Sequence, residues 1–150
     1  MKPLKPFRQT PGLCGPASLK ILLSHYGADF SEKELTQLCD ATAESGTDHA
    51  DLMAALGVFG FRVTSKVNAK IEDIRSYLLR DIPVVVGWWS TDEDHFSVVY
   101  DLDDRSIFMM DPELDEGIRK MPIKDFEKVW YDFDTPKNKR VNRWMLAIEN

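Results

Sequence analysis

Near residue 81 the sequence changes period, and this change limits the possible folds more than any other feature. Before it, apolar residues recur at helical spacing. Leu19, Leu22, Leu23 and Tyr26 share one face of a run that Gly27 stops. Ser31 and Glu34 form a capping-box pattern ahead of Leu35, Leu38 and Cys39. A third helix is predicted from Thr47 to Gly57 or Gly60, with Asp48 and Asp51 in its first turn. "FRVTSKV" at 61–67 reads as a strand, and "IEDIRSYLLR" at 71–80 as a fourth helix ended by Pro83. After the change, "IPVVVGWW", "HFSVVYDL" and "SIFMMDP" are β-branched and aromatic runs separated by the polar turns "STDED" and "DDR". "GIRKMP" adds a strand, "IKDFEKVW" a helix and "RWMLAIE" a closing strand. Helices first and strands later predict an α+β fold, with the helices packed on one face of an antiparallel sheet. At 150 residues a single domain holds both as lobes, helical over about 8–80 and β over about 81–150.

Charge and hydropathy then narrow the function classes. A net charge of −6 argues against nucleic acid or an anionic membrane as the partner. The one basic cluster, "KNKR" at 137–140 with Arg143, reads as a solvated loop. No apolar run reaches the length of a membrane span, and the basic start "MKPLKPFRQTPG" is followed by no signal-peptide core. A cytoplasmic location is therefore expected. With two cysteines in a reducing compartment, a disulfide framework is not.

Of those two cysteines, Cys39 shares an apolar face with Leu35 and Leu38, where a thiol packs as a small hydrophobe. Cys14 differs. It stands in "GLCGPAS", where a helix begins, and the unpaired amides and positive dipole end there favour a thiolate over a thiol. Gly12 and Gly15 leave space for a substrate carbonyl near the sulfur, and Pro16 fits a first helical turn.

A cysteine nucleophile needs a base within hydrogen-bond reach, and the base needs an orienting group. His25 is excluded, since eleven helical residues place it roughly 16 Å from Cys14. His49 falls in a first helical turn and reads as a surface or capping residue. His95 opens a strand after an acidic loop. "HFSVVYDLDDRSIFMMDP" reads as a hairpin turning at Asp103-Asp104-Arg105, which returns Asp111 toward His95. Its carboxylate is then placed to fix the imidazole tautomer, while Pro112 ends the strand. Upstream of Cys14, Gln9 supplies an amide suited to an oxyanion.

These stretches together resemble the bacteriocin-processing, double-glycine-type cysteine peptidases and their stand-alone relatives, within the papain-like clan. The resemblance rests on "QTPGLCGPASLKILLSHYG", "GTDHADLMAALGVFGF", "IPVVVGWW", "DHFSVVYDLDDRSIFMMDP" and "IRKMPIKDFEKVW", in the family's order over roughly 8–133. It implies a papain-like fold with Cys14 as nucleophile, His95 as acid/base, Asp111 as orienter and Gln9 as oxyanion-hole side chain. Four residues separate Gln9 from Cys14, one fewer than the family pattern. No transporter portion accompanies the sequence, so fold and triad carry over rather than a double-glycine leader as substrate.

The expected activity is hydrolysis of a peptide or protein substrate through a thioester acyl-enzyme. An acyl- or peptidyl-transferase with the same triad and a catalytically idle peptide binder are the alternatives. Gly12, Trp88, Trp89 and Asp94 are candidate substrate contacts. The acidic turn Asp92–Asp94 is expected to favour the charged form of His95 and to select basic substrate residues. No cofactor or metal is expected. Cys14, His25, Cys39 and His49 contain no close ligand pair for zinc, and "DLDDRS" lacks the ligand pattern of a calcium loop.

Overall fold

The computed structural model describes residues 4–134 and 138–150. Three helices come first: α1 (Cys14–His25), α2 (Glu32–Leu38) and α3 (His49–Val58). Strand β1 (Arg62–Lys66) and helix α4 (Ile71–Leu79) follow. Then come β2 (Val84–Ser90), β3 (Glu93–Leu102), β4 (Ser106–Met110), β5 (Ile118–Pro122), helix α5 (Ile123–Val129), β6 (Tyr131–Asp134), β7 (Lys139–Asn142) and β8 (Trp144–Glu149). Six strands form one antiparallel sheet in the order β1-β8-β2-β3-β4-β5, and β6 and β7 form a separate hairpin. The result is an α+β fold with the N-terminal helices on an antiparallel sheet. Among the described residues no helix is long and apolar enough to cross a membrane.

Local chemistry fixes the helix ends. The Ser31–Glu34 capping box closes both ways at the start of α2. Asp48 caps α3, accepting from the Asp51 amide at 2.9 Å, so the helix opens at His49 rather than Thr47.

The sheet is covered on both faces. Leu19, Leu22, Leu35, Leu52 and Leu56 from the first helices pack with Val85, Phe96, Val98, Leu146 and Ile148. On the other face, Ile74 of α4 and Phe126 of α5 pack with Val84, Val86, Val99, Ile107, Met109 and Met145. Alternate residues of β2 thus enter different cores, which is why "VVVGWW" is apolar throughout instead of alternating. α4 and α5 cover the face opposite the first three helices. The sheet also recruits β1 from before residue 80, pairing it with β8 from Arg62↔Glu149 to Lys66↔Met145.

Two local readings change as well. The loop between β2 and β3 is only Thr91 and Asp92, both at positive φ, so Glu93 and Asp94 lie within the strand ahead of His95. The basic cluster expected to be a solvated loop contributes Lys139 and Arg140 to β7, with Arg140 over the Tyr131 ring at 4.0 Å. Lys137 lies outside the described residues.

Candidate active site

Cys14 is the first residue of α1, a helix buried along most of its length. Leu13 precedes it without a side-chain cap, so the amides of the first turn are not claimed by a capping group. The glycines beside it serve packing rather than access to the sulfur. Gly12 has φ +86°, and a Cβ there would lie 2.2 Å from the Ala43 carbonyl oxygen. A Cβ at Gly15 would lie 2.9 Å from Thr47 Oγ1 and 3.2 Å from Leu52 Cδ2. The 43–47 loop therefore closes directly onto the start of the helix.

One turn along α1 from Cys14, Ser18 donates to the Phe96 carbonyl at 3.1 Å, within the core. Phe96 follows His95. This bond fixes helix against strand beside the point where the thiol and the imidazole must meet. His95, 2% exposed, pairs through Nε2 with Asp111 Oδ1 at 2.5 Å, and Cys14 lines the same cleft, near enough to interact with the ring. With Nε2 committed to the carboxylate, Nδ1 is the ring nitrogen left for the sulfur. Burial opposes the imidazolium, but the Asp111 bond and the Cys14 bond and charge outweigh it and push His95 up to about 10. The acidic turn does not account for this shift, since Asp94 Oδ1 instead accepts the Phe133 amide at 2.8 Å.

Asp111 is buried and fully engaged. Oδ1 also accepts the Glu113 amide at 2.9 Å, and Oδ2 accepts Arg119 Nε at 2.6 Å. Burial alone would raise its pKa; His95, the Glu113 amide and Arg119 together hold it below the usual carboxylate range. Pro112 has a second role, because its carbonyl accepts the Gln9 backbone N–H at 2.8 Å and ties the segment before Cys14 to the Asp-Pro turn. The Gln9 side chain lines the same cleft as Cys14, with Nε2 only 3.5 Å from the Thr10 carbonyl, a bond weak enough to give up. His95, Asp111 and Glu113 bring possible ligand atoms within 4.8 Å of one another. Both Asp111 oxygens are already satisfied and a guanidinium adjoins them, so this set orients an imidazole better than it would hold a cation.

Cys14, His95 and Asp111 thus come together, and Gln9, Gly12 and Asp94 line the cleft beside the sulfur. The two tryptophans do not. Trp88 is buried against the α4–α5 core, donates Nε1–H to Ser97 Oγ at 3.0 Å and lies under Arg119. Trp89 stacks on Tyr131 at 5.8 Å between centroids and meets Phe133 edge-on. Both are packing residues, because β2 is flanked by elements that occupy each face. Cys39, by contrast, is a core thiol that burial pushes up to about 12.

Sequence reasoning missed a second histidine–carboxylate pair. His49 is buried rather than at the surface: Nε2 bonds Asp132 Oδ2 at 2.6 Å, and the ring stacks on Trp144 at 4.1 Å. The Asp132 carboxyl sits where a side chain at position 87 would be, 2.4 Å from a Cβ built on Gly87. A glycine in the middle of an apolar strand was the available signal.

The peptidase C39 family model matches residues 9–133, a span that takes in every residue of the Cys14–His95–Asp111 set. An uncharacterized protein of Methanothermobacter marburgensis is 36% identical over 108 residues, covering 71% of this chain and 70% of its own. Among solved structures, a double-glycine-motif protease from an AMS/PCAT transporter, in complex with its leader peptide, superposes with TM-score 0.76 at 17% identity, covering 97% of this chain and 91% of that one. The peptidase domain of Streptococcus ComA, a bifunctional ABC transporter of a quorum-sensing pathway, gives 0.74 at 20% identity over 97% and 98%. The solved structures carry the fold and the family match carries membership: the chain belongs to the peptidase C39 family.

Proposed function

We propose that this protein is a cysteine peptidase that cuts peptide bonds through Cys14, His95 and Asp111. The placement of Cys14, at the uncapped start of α1, in one cleft with a His95 that is hydrogen-bonded to Asp111 is the observation that carries this reading. The Cys14 sulfur attacks the substrate carbonyl carbon, and the carbonyl oxygen takes up the displaced electron pair. The Cys14 amide and Gln9 Nε2 stabilise that oxyanion. As the C–N bond breaks, His95 passes its proton to the leaving amine, and a thioester remains on Cys14. Water then gives a proton to His95 while its oxygen attacks the thioester, releasing the acid and restoring the thiolate–imidazolium pair. Asp111 holds the ring in place throughout.

A peptide substrate also agrees with the leader peptide bound by the transporter protease of similar fold. The direct test compares the wild type with Cys14→Ala and Cys14→Ser. Both variants are expected to keep the fold and to lose hydrolysis and rapid carboxamidomethylation by iodoacetamide at mildly acid pH. If wild-type Cys14 alkylates no faster than free cysteine, the assignment fails. Product analysis with added amines separates hydrolysis from acyl transfer, which is expected to be the minor outcome.

A further inference from the structure

The cleft beside Cys14 has a chemical character of its own. Glu44, Glu93, Asp94 and Asp132 line it, and no lysine or arginine does among the described residues. Its two histidines, His49 and His95, leave the lining acidic even when both are protonated. Three buried side-chain atoms of the described residues lack a hydrogen-bond partner: Gln9 Oε1, Thr47 Oγ1 and Asp132 Oδ1. All three belong to residues that line this cleft. Asp132 is 1% exposed, so its free oxygen is a buried acceptor, and such an atom costs free energy until a donor reaches it.

We propose that this cleft is a subsite for a cationic substrate side chain, a lysine or arginine close to the bond being cut. The proposal rests on the peptidase reading and specifies its substrate class. An ammonium or guanidinium brings several N–H donors, the chemistry that the unpartnered acceptors lack. Phe96 and Phe133, in the same lining, offer apolar surface to the methylene stem. Burial, and the carboxylates of Asp132 and Asp134 nearby, hold Asp94 above its ordinary range despite the Phe133 amide and His49. A cation entering the cleft relieves that repulsion. A small uncharged residue beside the scissile bond does not.

The test uses two methanethiosulfonate reagents that differ in charge, one carrying a trimethylammonium-ethyl group and one a sulfonato-ethyl group. In each reaction the thiolate attacks the sulfenyl sulfur, an S–S bond forms and methanesulfinate leaves. Cys39 is fully buried, so the fast reaction reports Cys14. At low ionic strength, the cationic-to-anionic rate ratio is expected to exceed that of free cysteine by on the order of ten-fold or more. It should fall in high salt and in Glu44→Lys with Glu93→Lys, two exposed positions where charge reversal does not threaten the core. Glu127→Lys, an exposed change on α5, controls for overall charge and should leave the ratio nearly unchanged. Asp132→Asn extends the test to the buried acceptor. In a peptide library, cleavage should favour Lys or Arg over Gly, Leu or Glu near the scissile bond. A rate ratio equal to that of free cysteine, or a library preference for small residues, overturns the subsite and leaves the nucleophile standing. If neither reagent outpaces its reaction with free cysteine, the peptidase reading falls, and the subsite with it.

Discussion

At the scale of single residues, Gly87 shows how an absent side chain can position a charged one. The Asp132 carboxyl fills the space above it and bonds His49, whose ring lies on Trp144. Gly87→Ala puts a methyl group where that carboxyl oxygen sits, and neither the sheet nor the stacked ring can move cheaply. Stability is expected to fall by about 1–3 kcal/mol, the usual cost of overpacking, read as a lower urea midpoint at unchanged slope. Gly57 provides the contrast. It lies on the exposed side of α3 with no atom within 4 Å of an added Cβ, so Gly57→Ala is expected to stabilise by roughly 0.5–1 kcal/mol. If the two substitutions shift the midpoint alike, the steric account of Gly87 is wrong. His49 itself was misread because a histidine one residue past an N-cap ordinarily faces solvent. Its partner lies 83 residues away in a strand that sequence pattern did not reveal.

Between elements, the site depends on two contacts that hold its parts in register. Ser18 locks α1 to β3 beside His95, and Arg119 on β5 braces Asp111 from the neighbouring end of β4. The helix start at Cys14 and the return of Asp111 beside His95 were legible in the sequence, because both are short-range patterns. Neither bracing residue was, since each depends on how elements pack. Arg119 in "GIRKMP" looks like any exposed strand cation until β5 pairs with β4, setting Arg119 opposite Met109. Arg119→Leu removes one of the influences that lower Asp111. The carboxylate should then protonate at a higher pH and hold His95 less firmly. Hydrolysis is expected to fall roughly ten-fold or more, as for a lost hydrogen bond to a charged group, with its acid limb moved upward in pH. A loss of activity without that movement would assign Arg119 to packing over Trp88 instead.

Across the whole molecule, the architecture was legible because helical periodicity ends and β-branched runs begin within a few residues of position 81. What the pattern concealed was the second covered face. An uninterrupted "VVVGWW" marks a strand buried on both sides, but periodicity names no partner: α4 directly precedes the strand, while α5 arrives only after β5. The β6–β7 hairpin escaped because each strand has only four residues: "YDFD" alternates too briefly to stand out and "KRVN" carries a single apolar residue. Two-sided burial also bears on stability, since it encloses a charged pair. His95 moves from its ordinary 6.5 up to about 10, so its contribution to folding is fully present below 6.5 and is lost as pH rises through 10. Asp111 moves the other way, down from 3.8, so its contribution is present above that value and is lost as pH falls. The pair therefore supports the fold most between about pH 4 and 6.5. Comparing the wild type with His95→Gln by urea unfolding across pH isolates the histidine, because groups common to both proteins cancel. The stability difference is expected to hold a plateau up to about pH 6.5 and to shrink steadily toward pH 10. A difference that rises with pH below about 6.5 and then stays flat to pH 10 would mean that His95 is neutral in the folded protein, and that its neighbours do not hold its proton.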